Sequence, residues 1–447
     1  MTDILSIPPV TVIGAGLAGS EAAWQLAERA IPVRLVEMRP HTVTPAHHTG
    51  HFGELVCSNS FKSDDPATAT GVLKRELEAL DSLVVKVARE TAVPAGAALA
   101  VDRERFGSLL TERVSSHPHI EVVHAESSEL PEGRCIVATG PLTSARFEPV
   151  LAKLAGDQLS FFDAAAPIVD ADSIDRGIVF PASRYGKGGG ADYLNAPMNR
   201  EEYEAFIDAL LEAPRVHAKD FERKELFAAC QPVEEIARTG RDSLRFGPLK
   251  PVGLTDPRTG ERPWAVVQLR PENATGGAYN LVGFQTNLTF PEQRRVLRMI
   301  PGLSAVDFLR YGVMHRNTFV DAPRLLEPSL RLRQHPRVWL AGQVTGTEGY
   351  LEAAASGLLA ALNVSADLTG TAPAVLPPTT VLGALIAYAT DPETVNYQPM
   401  HVNFGILPPL PERVRGKHER YAAYAERARA DLAEWIEGRP ELWTRVS

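Results

Sequence analysis

Val10 to Gly19 reads VTVIGAGLAG, and the interpretation of this stretch decides the fold. Val10, Val12 and Ile13 make a buried parallel strand that runs into Gly14-x-Gly16-x-x-Gly19, and a helix is expected from about Leu17 to Arg29. The glycines divide the work: Gly14 permits the tight turn, Gly16 lets the backbone approach a pyrophosphate, and Gly19 lets the helix lie close on the strand. Ala15, Leu17 and Ala18 complete the loop, and the helix N-terminus faces phosphate charge. A second strand, Val33 to Glu37, ends in a carboxylate eighteen residues after Gly19, where an acid can accept hydrogen bonds from ribose hydroxyls. An acid at that point favours FAD or NAD over NADP. The glycine pattern by itself means no more than a strand, a turn and a helix; the flanking elements and Glu37 turn it into a dinucleotide site.

More than three hundred residues later the same physics recurs in Leu340 to Leu359, LAGQVTGTEGYLEAAASGLL. Val338 to Ala341 is a short apolar strand, Gly342 to Gly349 a glycine and threonine loop, and Tyr350 to Leu362 an alanine-rich helix able to pack closely. Gly342, Gln343, Gly346, Thr347, Glu348, Gly349 and Tyr350 are the candidate ligand residues here. A chain that leaves a dinucleotide fold and later returns to it contains an inserted domain. The expected division is 1–160 for the first part of the nucleotide domain, 161–309 for the insertion, 310–370 for the returning part and 371–447 for a mainly helical C-terminal segment.

With 447 residues, 44% of them hydrophobic, the chain can bury a full core. No apolar run approaches the roughly 18 residues that span a bilayer, and the N-terminus lacks a signal-peptide pattern, so a cytoplasmic location is expected. The net charge of −9 leaves no global footprint for nucleic acid; any RNA contact must be local. Between the two glycine loops the pattern predicts a polar loop over 39–65, a helical segment over about 70–89, a helix from Asp102 to Ser115, and strands at Ile120 to His124 and Cys135 to Ala138. Beyond Gly370 come a Pro/Thr-rich linker, a helix near Val381 to Ala389, and a charged helical tail from about Pro411 to Val446.

The three cysteines form no CxxC pair, and their odd number argues against a disulfide framework. Cys135 lies between apolar neighbours in a predicted strand and reads as core. Cys57 sits in a loop among Ser58, Asn59 and Ser60, an unusual setting for a structural thiol, which favours a chemical role. Cys230 precedes Arg238, Arg241 and Arg245, whose charge would favour thiolate, but a helix-end packing role fits its neighbours equally well. His47, His48 and His51 beside Glu54 complete no known ligand spacing, so no metal is assigned. Gly186 to Gly190 with Lys187 lacks the Gly-Lys-Ser/Thr ending of a P-loop and reads as a basic loop.

Taken together, Gly14 to Gly19, Leu55 to Ser63 (LVCSNSFKS), Cys230 to Glu234 (CQPVE), Phe246 to Leu254 (FGPLKPVGL), Gly283 to Leu288 (GFQTNL) and Gly342 to Leu351 (GQVTGTEGYL) closely resemble the folate- and FAD-dependent tRNA (uracil-5-)-methyltransferases, the TrmFO family. The resemblance covers nearly the whole chain. It implies a Rossmann-like α/β FAD-binding domain of the GidA or glutathione-reductase type with an inserted α+β domain. It also implies conversion of the T-loop uridine at tRNA position 54 to 5-methyluridine, with 5,10-methylenetetrahydrofolate as carbon donor, FAD as methylene and hydride carrier and NAD(P)H as reductant. Cys230 matches the family's nucleophile and Cys57 its second cysteine, which either holds the methylene or moves the C5 proton. Placement points to Tyr350, Arg316 and Asn317 for folate, and to Arg238, Arg241, Arg245 and Lys187 for the T arm of tRNA. No obligatory protein partner and no membrane are expected. Two rival readings are a GidA-like enzyme of wobble uridines, whose relatives are longer, and a noncatalytic flavin-bearing RNA-binding protein.

Overall fold

A computed structural model describes residues 8–444 except 45, 57, 157–158, 187–190, 216–230, 272–277, 395–396, 398 and 413; for 160–165, 309–310, 313–317 and 417 it describes the backbone alone. Its central sheet runs, in order, Arg331–Leu332, His335–Leu340, Cys135–Val137, Val10–Ile13, Val33–Glu37 and Ile120–His124. All neighbours are parallel except the first pair. Val12 pairs with Leu35 on one side and Ile136 on the other, and Ile136 pairs in turn with Trp339. The near-continuous apolar sequence of these strands follows from burial on both faces: Val10, Val12, Leu35, Ile136 and Leu340 have no exposed surface.

Small residues let the two glycine-loop helices touch. A Cβ at Gly357, in the helix Tyr350–Thr369, would lie 2.1 Å from the Ala18 carbonyl oxygen of the helix Leu17–Glu28. The distal helix is thus longer than its apolar start predicts, and it ends where Gly370 adopts a left-handed conformation at φ 69°.

Residues 168–310 carry a second sheet, antiparallel, in the order Phe180–Pro181, Leu194–Met198, Ala265–Pro271, Ala278–Leu281, Ile168–Asp170 and Phe308–Arg310. The helix Arg200–Glu212 covers it. That helix starts in a capping box, the Asn199 side chain accepting from the Glu202 N–H while the Glu202 carboxylate accepts from the Asn199 N–H. Tyr203, Phe206, Phe284 and Leu269 fill a core separate from that of the parallel sheet. An antiparallel ribbon, Leu159–Ala165 with Val313–Val320, joins the two lobes.

Three sequence expectations need correction. The segment 70–89 is two helices, Ala69–Ala79 and Leu83–Glu90. Between them Asp81 takes φ 64°, and buried Glu21 accepts the Leu83 and Val84 N–H groups and the Ser82 hydroxyl, anchoring the start of the second helix. The loop 39–65 includes the strand Ser60–Ser63, paired with Ala98–Val101. The tail forms its helix only from Lys417 to Glu437. The helix Arg103–Ser115, capped by Asp102, and the strand Ile120–His124 stand where the pattern predicts them. No helix among the described residues is long and apolar enough to cross a membrane.

Candidate active site

Both glycine loops open onto one cleft enclosing about 1100 Å³, mouth included. Gly14, Gly16, Leu17, Ala18 and Glu37 line it from one side and Gly342, Gln343, Gly349 and Tyr350 from the other, with Thr139 and Gly140, which follow the strand Cys135–Val137, between them.

Each proximal glycine has a distinct spatial reason. Gly14 has φ 97°, and a Cβ there would come to 2.5 Å from the Ala138 oxygen. At Gly19 a Cβ would lie 1.7 Å from the Gly14 oxygen, so the helix rests directly on the turn. A Cβ at Gly16 would meet nothing within 4 Å; its backbone borders open cleft. As the N-cap of the first helix Gly16 provides no side-chain cap, so first-turn N–H groups remain available to an anion.

Glu37 fastens this loop. One carboxylate oxygen accepts the Ala15 N–H at 2.7 Å, and the other accepts Nε and the backbone N–H of Arg39 at 2.8 and 3.0 Å. Burial by itself would raise the Glu37 pKa; the Arg39 hydrogen bonds and charge, with the Ala15 N–H, outweigh it and hold the carboxyl below the ordinary glutamate value. The Arg39 guanidinium continues to the His51 carbonyl at 2.7 Å and to Glu54 at 3.4 Å. Glu54 in turn accepts the His48 and Thr49 N–H groups and the Thr49 hydroxyl. His47 is pushed down to about 4 by burial and by Arg39. These interactions organise the histidine loop around Arg39 and Glu54.

The distal loop is held by neutral hydroxyls. Thr345 and Thr347 both donate to the Gly342 carbonyl, at 2.8 and 3.1 Å, the Ser356 hydroxyl accepts the Gly342 N–H at 2.7 Å, and buried Tyr397 donates to the Thr345 carbonyl at 2.8 Å. Gly346 is shut in by Tyr397, and the Glu348 N–H bonds the Met400 carbonyl at 2.9 Å. Gly346, Thr347 and Glu348 therefore shape the loop from behind, as Ala15 and Gly19 do on the other side.

Next to the cleft, the Tyr350 hydroxyl accepts the Ser58 N–H at 2.9 Å, with the Tyr350 ring 5.7 Å from that of Phe61. From the other lobe, buried Arg270 donates to the Ser58 hydroxyl and to the Asn59 side chain, while Asn59 donates to the Pro271 carbonyl at 2.7 Å. The residues following Cys57 are thus clamped by both lobes. Cys57, Cys230 and Lys187 lie outside the described residues, as do the side chains of Arg316 and Asn317 on the ribbon strand. Downstream of Cys230, buried Glu234 accepts the Asn287 N–H at 2.7 Å and the Thr286 hydroxyl at 2.8 Å, which ties the CQPVE block to GFQTNL. Cys135 has no exposed surface, and burial raises its thiol pKa.

The arginine group expected to meet RNA is engaged within its lobe. Arg238 donates to the Leu211 carbonyl, Arg241 pairs with Asp208 at 2.6 Å, and the Arg245 guanidinium lies 3.7 Å from the Trp264 ring centroid. Sequence reasoning missed Arg39, Arg270 and Tyr397. The signal for Arg270 was present: a cation ending the apolar run Trp264 to Leu269 needs a buried partner.

A cleft flanked by two helix N-termini and their glycine loops, with open space at Gly16 and a mostly apolar wall, fits a dinucleotide. Comparisons with known proteins agree. The family model described as "Glucose inhibited division protein A" matches residues 9–372. The structure of Aquifex aeolicus GidA superposes with a TM-score of 0.70 at 17% identity, covering 99% of this chain and 76% of that one, a likeness of fold. Two curated relatives, from Geobacter sulfurreducens and Thermosynechococcus vestitus, are each 56% identical over 96% of this chain and cover 98% and 94% of their own lengths. Both are named methylenetetrahydrofolate–tRNA-(uracil-5-)-methyltransferase TrmFO. Fold and site define a GidA-like, FAD-binding Rossmann protein. Within that class the chain belongs to the TrmFO family.

Proposed function

We propose that the protein methylates C5 of the T-loop uridine at tRNA position 54, with methylenetetrahydrofolate as the carbon source, FAD in the cleft and NAD(P)H as reductant, in the cytoplasm. The observation that carries this reading is the convergence of two distant glycine loops on one cleft, beside a cysteine loop clamped by Tyr350 and Arg270. Bound FAD would supply methylene and hydride transfer.

The chain's own part is to activate an unreactive carbon. The Cys230 thiolate adds to C6 of uracil, and the C5–C6 π electrons move toward O4, making C5 a nucleophile. After C5 takes the one-carbon unit it loses its proton as the bond from that carbon to its carrier breaks, leaving an exocyclic methylene on the ring. A hydride, which bound FAD would supply, adds to that methylene carbon as the thiolate leaves C6, and the ring is restored with a methyl group on C5. Cys57 serves as methylene holder or as acceptor of the C5 proton. Tyr350, Arg316 and Asn317 are proposed to face folate.

Purified protein incubated with unmodified tRNA, carbon-labelled methylenetetrahydrofolate and NADPH should yield labelled 5-methyluridine. Cys230→Ala should retain flavin but lose the covalent complex with tRNA carrying 5-fluorouracil, where fluorine cannot leave C5 as a proton does. Label arriving instead from S-adenosylmethionine would overturn the reading.

A further inference from the structure

Two aromatic side chains on the insertion lobe stand out in solvent farther than Phe290, which is 53% exposed and stacks on Tyr311 at 4.9 Å. Tyr185 is 69% exposed and Phe246 76%. Tyr185 holds a left-handed conformation at φ 59°, unfavourable for a residue with a Cβ and in need of local support. The support is visible. The Tyr185 N–H bonds the Gly253 carbonyl at 3.0 Å, and three ring atoms lie 3.0 Å from where a Gly253 Cβ would be. The ring rests on bare backbone and turns its other face outward. Beneath it Arg184 donates to the Lys250 and Val252 carbonyls and to Gln268.

Phe246 closes the turn Ser243–Phe246, with the Arg245 guanidinium 5.7 Å from its ring and 3.7 Å from that of Trp264. Lys250 is exposed on the segment between Phe246 and Gly253. Gln268 and Arg270 are two residues apart in the strand Ala265–Pro271 and Trp264 stands four residues before Gln268, just ahead of the strand; these even intervals put the three side chains on one face of the run. Arg245 stacks at its start, Arg184 grips Gln268, and Arg270 holds Ser58 and Asn59 beside Cys57. From Gln268 to Arg270 is about 7 Å along the strand, so the Tyr185 anchor lies close to the cysteine loop and the Phe246 anchor farther out.

We propose that Tyr185 and Phe246 are stacking platforms for unpaired bases of the RNA loop that delivers its uridine to the Cys57 loop, with exposed Lys250 meeting the backbone phosphates. This rests on the methyltransferase reading. Isolated rings together with an exposed cation suit bases joined by phosphates, whereas a protein partner would favour one contiguous apolar patch.

The test measures binding of a T-arm hairpin with an unmodified loop, and of the same stem without its loop. Tyr185→Ala and Phe246→Ala should each weaken hairpin binding about tenfold, Tyr185→Phe should match wild type, and loopless-stem binding, flavin content and melting temperature should stay unchanged. Alanine variants with wild-type hairpin affinity would overturn the platform, as would an equal loss on the loopless stem, or a changed sedimentation rate with RNA affinity intact, which would make the rings a contact between copies. The two proposals fail separately: methylation by wild type with unaffected alanine variants removes the platform alone, while ring-dependent hairpin binding without methyl transfer removes the reaction alone.

Discussion

The two glycine loops look alike in sequence and differ in what fastens them. The proximal loop is held by a buried charge, Glu37, paired with Arg39 and bonded to the Ala15 N–H. The distal loop is held by uncharged hydroxyls from Thr345, Thr347, Ser356 and Tyr397. Glycine itself also means different things. At Gly16 it leaves room for a ligand, whereas at Gly19 and Gly346 it leaves room only for the protein. A glycine-rich loop is therefore not uniformly a ligand surface, and its charge, or lack of it, sets how it answers to pH.

The sharpest break would come at Gly19. Valine there collides with the Gly14 carbonyl and should cost more than about 4 kcal/mol, read as loss of soluble protein or a collapsed urea midpoint. Alanine at Gly16 should change stability by under about 0.5 kcal/mol while flavin absorbance of the purified protein falls. If both variants keep their flavin and their stability, the division of labour between the glycines is wrong.

Glu37→Gln comes next. Removing one member of a buried pair should cost about 3 kcal/mol and release flavin. The pH dependence has a definite sign. Because the folded-state pKa of Glu37 lies below the ordinary 4.5, its contribution is present above pH 4.5 and is lost as pH falls through the lower folded value. Wild-type stability should thus decline more steeply than that of Glu37→Gln below pH 4.5, in denaturant titrations at matched salt. Parallel curves would remove the charge from the account of the proximal loop.

The smallest effect belongs to the distal loop. Tyr397→Phe deletes one buried hydrogen bond and should cost about 1 kcal/mol. Burial raises the Tyr397 pKa well above its ordinary 10, so the hydroxyl stays protonated at neutral pH and the cost should be the same at pH 5 and pH 8. A cost that varies between those values would erase the contrast between the loops.

What could be read from the sequence was local. Strand–glycine–helix periodicity located both halves of the cleft, and the six motif blocks gave the family. Features that depend on distant partners stayed hidden. Nothing in residues 70–89 says that Glu21 will anchor a new helix at Leu83, because the apolar spacing runs on past the break. Arg238, Arg241 and Arg245 read as free cations, since their partners Leu211, Asp208 and Trp264 come from other segments. The same blindness concealed Arg39, whose partners His51 and Glu54 lie across a loop.

The parallel sheet has a consequence for how the chain folds as it is made. Val137 pairs with Leu340, so the strand Cys135–Val137 emerges from the ribosome about 200 residues before the neighbour that covers its edge. At roughly 5–20 residues per second that edge waits on the order of 10 to 40 s while the whole insertion lobe is synthesised. An unpaired edge is a template for wrong pairing, and slow folding of the second lobe would lengthen the wait beyond the time that synthesis alone imposes. Slowing translation within 168–310 should expose the nascent protein to aggregation more than slowing it after the distal helix.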